Sequence, residues 1–222
     1  RLCPFGDPDA ERSMVVIGDS HGRHWGPAVD EIGKAHGYAV YQFVYSGCPA
    51  TSATRPDPEG GGVWKACADF KDWALSQVED LHPALVVVAN NAYRTPYMKD
   101  HQVAGLRDYL QDLRERSDRV VMIGNTPHLP RAPGICLSTR GNSLDDCVFS
   151  PDPAAQRLQG EFRAVVEDMG LTFVDALRWF CADVDCAPVI GSAIPLRDKE
   201  HVTVEYARVL AEPLARVLDI AD

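Results

Sequence analysis

The 222-residue chain is 45% hydrophobic and 24% charged, a globular composition with enough apolar material for one buried core and nothing that argues for disorder. Its 32 acidic and 22 basic residues give a net charge of −10, a field that repels a phosphate backbone, and no Lys/Arg-rich run overrides it, so nucleic acid is excluded as a partner. No apolar run approaches the roughly 20 residues that cross a bilayer, so direct membrane insertion by this segment is not expected.

Residues 1–13 lack an initiator Met and a signal-peptide pattern, and read as the end of a linker from an upstream domain. The domain proper is expected over 14–222. Residues 14–18 form a compact, largely β-branched run ending in Gly18-Asp19-Ser20, which predicts a buried strand feeding a turn. A short amphipathic helix follows over 27–36, closed by Gly37, and then a second strand over 39–45. Residues 47–62, rich in Pro, Gly and Thr, form a loop. Helical spacing runs over 63–81, a third strand over 84–89, a helix over 103–116 and a fourth strand over 120–124. Residues 125–153 hold five prolines and form a long irregular excursion, of the kind that is functional when it is ordered. A helix over 154–169, a short strand over 171–174 and a closing helix over 203–218 complete the chain. Strands alternating with helices predict a three-layer α/β/α sandwich around a parallel, flavodoxin-like sheet, with its ligand site at the carboxyl ends of the strands.

Six of the seven cysteines fall into local pairs that bracket loops: Cys48 with Cys67, Cys136 with Cys147, and Cys181 with Cys186. That pattern suits disulfide staples in an oxidising, extracytoplasmic compartment, and buried free thiols are the alternative. No pair has CxxC spacing, so zinc ligation by cysteine is not expected. Cys3 is left over, with a partner expected upstream.

Chemistry-bearing residues gather at the predicted strand ends: Gly18-Asp19-Ser20-His21 after the first, Ser46-Gly47-Cys48-Pro49 after the second, and Ala89-Asn90-Asn91 after the third. A fourth element, Asp198-Lys199-Glu200-His201, precedes the last helix. A serine hydroxyl is a weak nucleophile at neutral pH and needs a base, which His201 supplies. A carboxylate three residues earlier, Asp198, would hold the other ring nitrogen. Attack on an ester creates an oxyanion, for which the backbone N–H groups of Ser20 and Gly47 and the Asn91 amide are the natural donors. Asp19 is expected to tie loops together. His21 and His24 stand at a spacing that suits metal ligation on a helix, but no third ligand is evident, so neither a metal nor a cofactor is expected. Trp25 and Trp64 read as core or pocket wall, with sugar stacking as the alternative. Tyr93, Arg94 and His128 sit on loops after strands, where solvated residues and ligand contacts both occur.

These blocks, in this order over residues 14 to about 210, resemble the SGNH (GDSL-like) hydrolase superfamily. Gly-Asp-Ser-His in place of Gly-Asp-Ser-Leu, Trp25, the paired cysteines and Asp-x-x-His-Val-Thr resemble the extracytoplasmic SGNH domain fused to membrane acyltransferases. The resemblance implies Ser20, Asp198 and His201 as a catalytic triad; Asp19, His21, Asn90 and Arg94 are further candidates, behind the site or against substrate. It further implies an acyl donor delivered by an upstream membrane domain, a cell-surface polysaccharide or peptidoglycan hydroxyl as acceptor, and O-acetyl chemistry at the outer face of the membrane. The third block departs from the family's Gly-x-Asn-Asp, reading Ala89-Asn90-Asn91-Ala92, so either asparagine could be the oxyanion donor, with spacing favouring Asn91. Two rival readings keep the same residues: a free-standing secreted carbohydrate esterase, and a non-catalytic glycan-binding module on this fold.

Overall fold

The computed structural model describes residues 2–91 and 99–220, with the backbone alone for 99–102. In chain order its elements are β1 (Phe5–Gly6), β2 (Arg12–Gly18), α1 (Ser20–His24), α2 (Gly26–His36), β3 (Tyr38–Val44), α3 (Lys65–Leu81), β4 (Leu85–Ala89), α4 (Lys99–Glu115) and β5 (Val120–Ile123). There follow α5 (Pro133–Leu137), α6 (Pro153–Asp168), β6 (Thr172–Val174), β7 (Cys181–Ala182), β8 (Asp185–Cys186), α7 (Val204–Val209) and α8 (Ala211–Val217). Six strands form one sheet in the order β1-β3-β2-β4-β5-β6, parallel throughout except for β1.

The apolar runs are continuous because the central strands are covered on both faces. Met14, Val16, Leu85, Val87, Val121 and Ile123 pack toward α2, α7 and α8. Their neighbours Val15, Ile17, Val86, Val88, Val120 and Met122 face α3, α4 and α6. Helical period supplies the opposing surface: Leu106, Tyr109, Leu110 and Leu113 make one stripe on α4, and Leu158, Phe162 and Val166 another on α6. Without β1 the order is the doubly wound 2-1-3-4-5, which reverses between β2 and β4 and opens a crevice beyond their carboxyl ends. Among the described residues, no helix is long and apolar enough to cross a membrane.

Ahead of residue 14, Phe5 and Gly6 pair antiparallel with Val40 and Ala39, and β2 begins at Arg12. Two paired residues are too few for any periodicity to register. One reading is corrected: the expected closing helix over 203–218 is two helices, broken at Leu210. Pro213 has no N–H to donate, and its ring would meet the carbonyl of Val209 in a continuous helix.

All three local cysteine pairs are bonded: Cys48–Cys67, Cys136–Cys147 and Cys181–Cys186, while Cys3 is free and exposed. The first ties the loop after β3 to the opening turn of α3. The second orders the 125–153 excursion, and the third closes the β7–β8 hairpin.

Gly18 marks the closest approach of backbone in the crevice. It pairs with Ala89 across β2 and β4, and a Cβ at position 18 would lie 1.9 Å from the Ala89 carbonyl oxygen. Backbone in a fully buried sheet has no room to retreat. Gly18→Ala is therefore expected to lower the free energy of unfolding by about 3 kcal/mol or more, seen as a shifted guanidinium midpoint. Gly160→Ala, on a helix with nothing within 4 Å of the added carbon, is expected to be neutral or to stabilise by up to about 1 kcal/mol. Equal midpoints for the two variants would refute the assigned contact.

Candidate active site

The turn after β2 delivers Ser20 as the first residue of α1, behind Asp19 at the N-cap. The loop before α7 delivers His201. The two side chains, 181 residues apart, meet with Ser20 Oγ 2.9 Å from His201 Nε2. On the far side of the ring, Nδ1 lies 3.0 Å from Asp198 Oδ1 and 2.9 Å from Oδ2. Asp198 Oδ1 also accepts the backbone N–H groups of Glu200 (3.0 Å) and His201 (2.8 Å), which fixes the carboxylate on its own loop. Burial pushes the Asp198 carboxyl up, but those two N–H donors and the imidazole outweigh it and hold the group below the usual carboxylate range. It therefore stays ionised wherever an imidazole titrates.

The loop itself is anchored from the β5–α5 segment. Thr126 Oγ1 donates to the Glu200 carbonyl, and the Leu129 N–H donates to the Lys199 carbonyl at 2.8 Å. Within the loop, the Arg197 N–H donates to the His201 carbonyl at 3.0 Å. These bonds set the height of the imidazole over the sheet edge.

Asp19 joins two strand ends. Its carboxylate accepts the His21 N–H at 2.8 Å and the Asn91 N–H at 3.2 and 3.1 Å, so the turn after β2 and the end of β4 move as one. The two adjacent asparagines are turned to different tasks. Asn90 accepts from the Ala50 N–H at 2.8 Å and donates to the Ala50 carbonyl at 3.1 Å, which binds β4 to the loop after β3. Asn91 Nδ2 donates to Glu200 Oε2 at 3.0 Å, toward the His201 loop. Gly47 takes the third position of the Tyr45–Cys48 turn with φ +78°, a conformation that glycine adopts without strain.

Glu200 is the residue that sequence reasoning passed over. Its Oε2 lies 3.9 Å from His21 Nε2 and 3.6 Å from His128 Nε2, besides accepting from Asn91. The only signal in the sequence was its place beside His201. His21 and His24 are both buried in α1, with ring centroids 4.8 Å apart. Burial pushes His21 down to about 3, against the pull of Glu200, and pushes His24 well below the usual imidazole range. Both rings are neutral near pH 7. His128 is also lowered, first by burial. Trp25 is 1% exposed and packs edge-on against Trp179, which makes it core. Trp64 lies half-buried between Tyr45 and the Arg55 guanidinium. Tyr93 and Arg94 lie outside the described residues.

A family model described as an SGNH domain fused to AT3 domains matches residues 1–216. No curated protein matches the chain in sequence. Among solved structures, the periplasmic domain of a lipopolysaccharide acetyltransferase from Salmonella ser. Paratyphi A superposes with a TM-score of 0.77, covering 96% of this chain and 86% of that one at 15% identity. A catalytic mutant of an acetylxylan esterase from Geobacillus stearothermophilus gives 0.60, with 94% of each chain covered at 16% identity. An aryl esterase from M. smegmatis gives 0.58, covering 94% of this chain and 98% of that one at 15% identity. At such identities the likeness shows a common fold.

Proposed function

The chain belongs to the family of SGNH domains fused to AT3 domains, and on that premise we propose that it performs serine-dependent O-acyl transfer, with acetyl as the acyl group, to a hydroxyl of a cell-surface glycan. The observation that carries this reading is the hydrogen-bonded line from Ser20 Oγ through His201 to Asp198. His201 Nε2 takes the hydroxyl proton as Oγ attacks the acyl carbonyl, and the imidazolium that forms lies against an ionised Asp198. The N–H groups of Ser20 and Gly47, with the Asn91 amide, are the donors assigned to the oxyanion. His201 then returns the proton to the departing donor group, leaving an acyl ester on Ser20. A sugar hydroxyl gives its proton to His201 and takes the acyl group, restoring Ser20. In the isolated domain water does the same, giving acetylesterase activity.

Placement at the outer face of the membrane, with donor supplied by a fused acyltransferase domain, is supported by the family's fusion to AT3 domains and by three disulfides, which persist in oxidising compartments. The chemistry is tested with a fluorophosphonate, which loses fluoride as its phosphorus bonds to an activated serine oxygen. The expected result is a single adduct on the peptide bearing Ser20, formed in step with loss of acetyl-ester hydrolysis. An unlabelled Ser20 would instead favour a glycan-binding module.

A further inference from the structure

Ser20's base stands inside a larger group of metal-competent atoms. His21, Glu200 and His201 each offer one ligand atom, and the three atoms lie within 4.8 Å of one another. Two histidine nitrogens and one carboxylate oxygen form the ligand set that Zn²⁺ accepts in sites with an open fourth position. In such a site ligand atoms about 2.0–2.1 Å from the metal stand about 3.3 Å apart, so the group must draw inward by about 1.5 Å at its widest. His21 is held by burial, while Glu200 and His201 are partly exposed and supply the movement.

Two independent features point to a cation. Among the described residues His21 Nε2 has no hydrogen-bond partner; its side chain is only 3% exposed and faces Glu200 Oε2 at 3.9 Å. A buried ring nitrogen left in this way forfeits a hydrogen bond that water would have given it. The tautomer protonated on Nδ1 presents a lone pair there. The second feature is the Asp198–His201 pair. A carboxylate bound to Nδ1–H fixes the tautomer that leaves the lone pair on Nε2, and metal-ligating histidines are oriented by the same device.

We propose that His21 Nε2, Glu200 Oε2 and His201 Nε2 form a binding site for a borderline divalent transition metal of the Zn²⁺ class, and that its occupation switches the enzyme off. Nε2 of His201 has one lone pair. Given to the metal, it no longer accepts the Ser20 proton, and the serine loses its base without any change in fold. Hard cations such as Mg²⁺ and Ca²⁺ prefer oxygen ligands and leave the site empty. Inhibition rests on the roles of Ser20 and His201 proposed above; metal binding does not.

The test uses the 222-residue domain stripped with a chelator. Co²⁺ is titrated in, and its visible d–d bands report a four-coordinate site; Zn²⁺ then displaces it. Separately, Zn²⁺ is titrated against p-nitrophenyl acetate hydrolysis, each protein being scaled to its own metal-free rate. Intense Co²⁺ bands, their loss to Zn²⁺, reversible inhibition lifted by EDTA, and indifference to Mg²⁺ are expected. Both His21→Gln and the more exposed Glu200→Gln are expected to weaken Co²⁺ binding at least about tenfold, and to raise the half-inhibitory Zn²⁺ concentration by the same factor. Should His21→Gln not fold, Glu200→Gln carries the test. Weak six-coordinate Co²⁺ spectra, or inhibition equally strong in the variants, would overturn the site. Co²⁺ binding by a wild-type domain that hydrolyses no ester would instead overturn the proposed function and leave the site standing.

Discussion

Ser20→Ala is expected to fold normally and to lose ester turnover by about 10⁴-fold or more, as removal of a nucleophile from a triad generally does. The side chain makes its described hydrogen bond to His201 and is only partly buried, so deleting one oxygen opens no cavity in the sheet. The cap of α1 belongs to Asp19, which is untouched. The loss should therefore fall on kcat, with circular dichroism and the unfolding midpoint close to wild type. Residual activity would come from the oxyanion donors alone, which act on bound ester without a nucleophile. A variant retaining more than a tenth of wild-type turnover would remove Ser20 from the mechanism. It would leave the Ser20–His201 contact without an assigned function.

Asp198→Asn is expected to cost about 10⁴-fold in turnover as well, although it removes only a charge. The reason lies in how the carboxylate is held. Oδ1 accepts two backbone N–H groups, from Glu200 and His201, and only an oxygen can stay there. The amide nitrogen introduced at 198 must then take the place of Oδ2, which stands 2.9 Å from His201 Nδ1. Two N–H groups cannot face each other, so the imidazole shifts its proton to Nε2. That tautomer has no lone pair for the Ser20 proton. Nitrogen NMR of the His201 ring checks this directly, with protonation at Nδ1 in the wild type and at Nε2 in the variant. A variant that keeps the wild-type tautomer, with turnover reduced less than tenfold, would show that Asp198 neither orients nor stabilises this ring.

Two of the side chains that meet in the crevice are marked in the sequence. Ser20 and His201 were readable because each sits at a break in a strong local pattern, one where a β-branched run ends in Gly-Asp-Ser and one where Asp-x-x-His precedes a helix. The division of labour between Asn90 and Asn91 was not readable. Both are buried amides after the same strand, and strand alternation sends them to opposite sides: one to Ala50, the other to Glu200. Glu200 was missed for a related reason. It looks like one more acidic residue in a chain with 32 of them, and its partners Asn91, His128 and His21 come from three other segments.

Sequence alone determined what depends on neighbours in the chain: the alternation of apolar runs that makes a parallel sheet under two helical layers, the turn residues, the local cysteine pairs and the polar residues at the strand ends. Only the tertiary structure decided what depends on distance through space. It made an edge strand of Phe5–Gly6, split the last helix at Leu210, and gathered His21, Glu200 and His201 around one point. Hydrophobic period is a short-range signal, repeated every two or 3.6 residues. The meeting of polar groups 109 or 181 residues apart follows from crossover connections, and no local pattern records it.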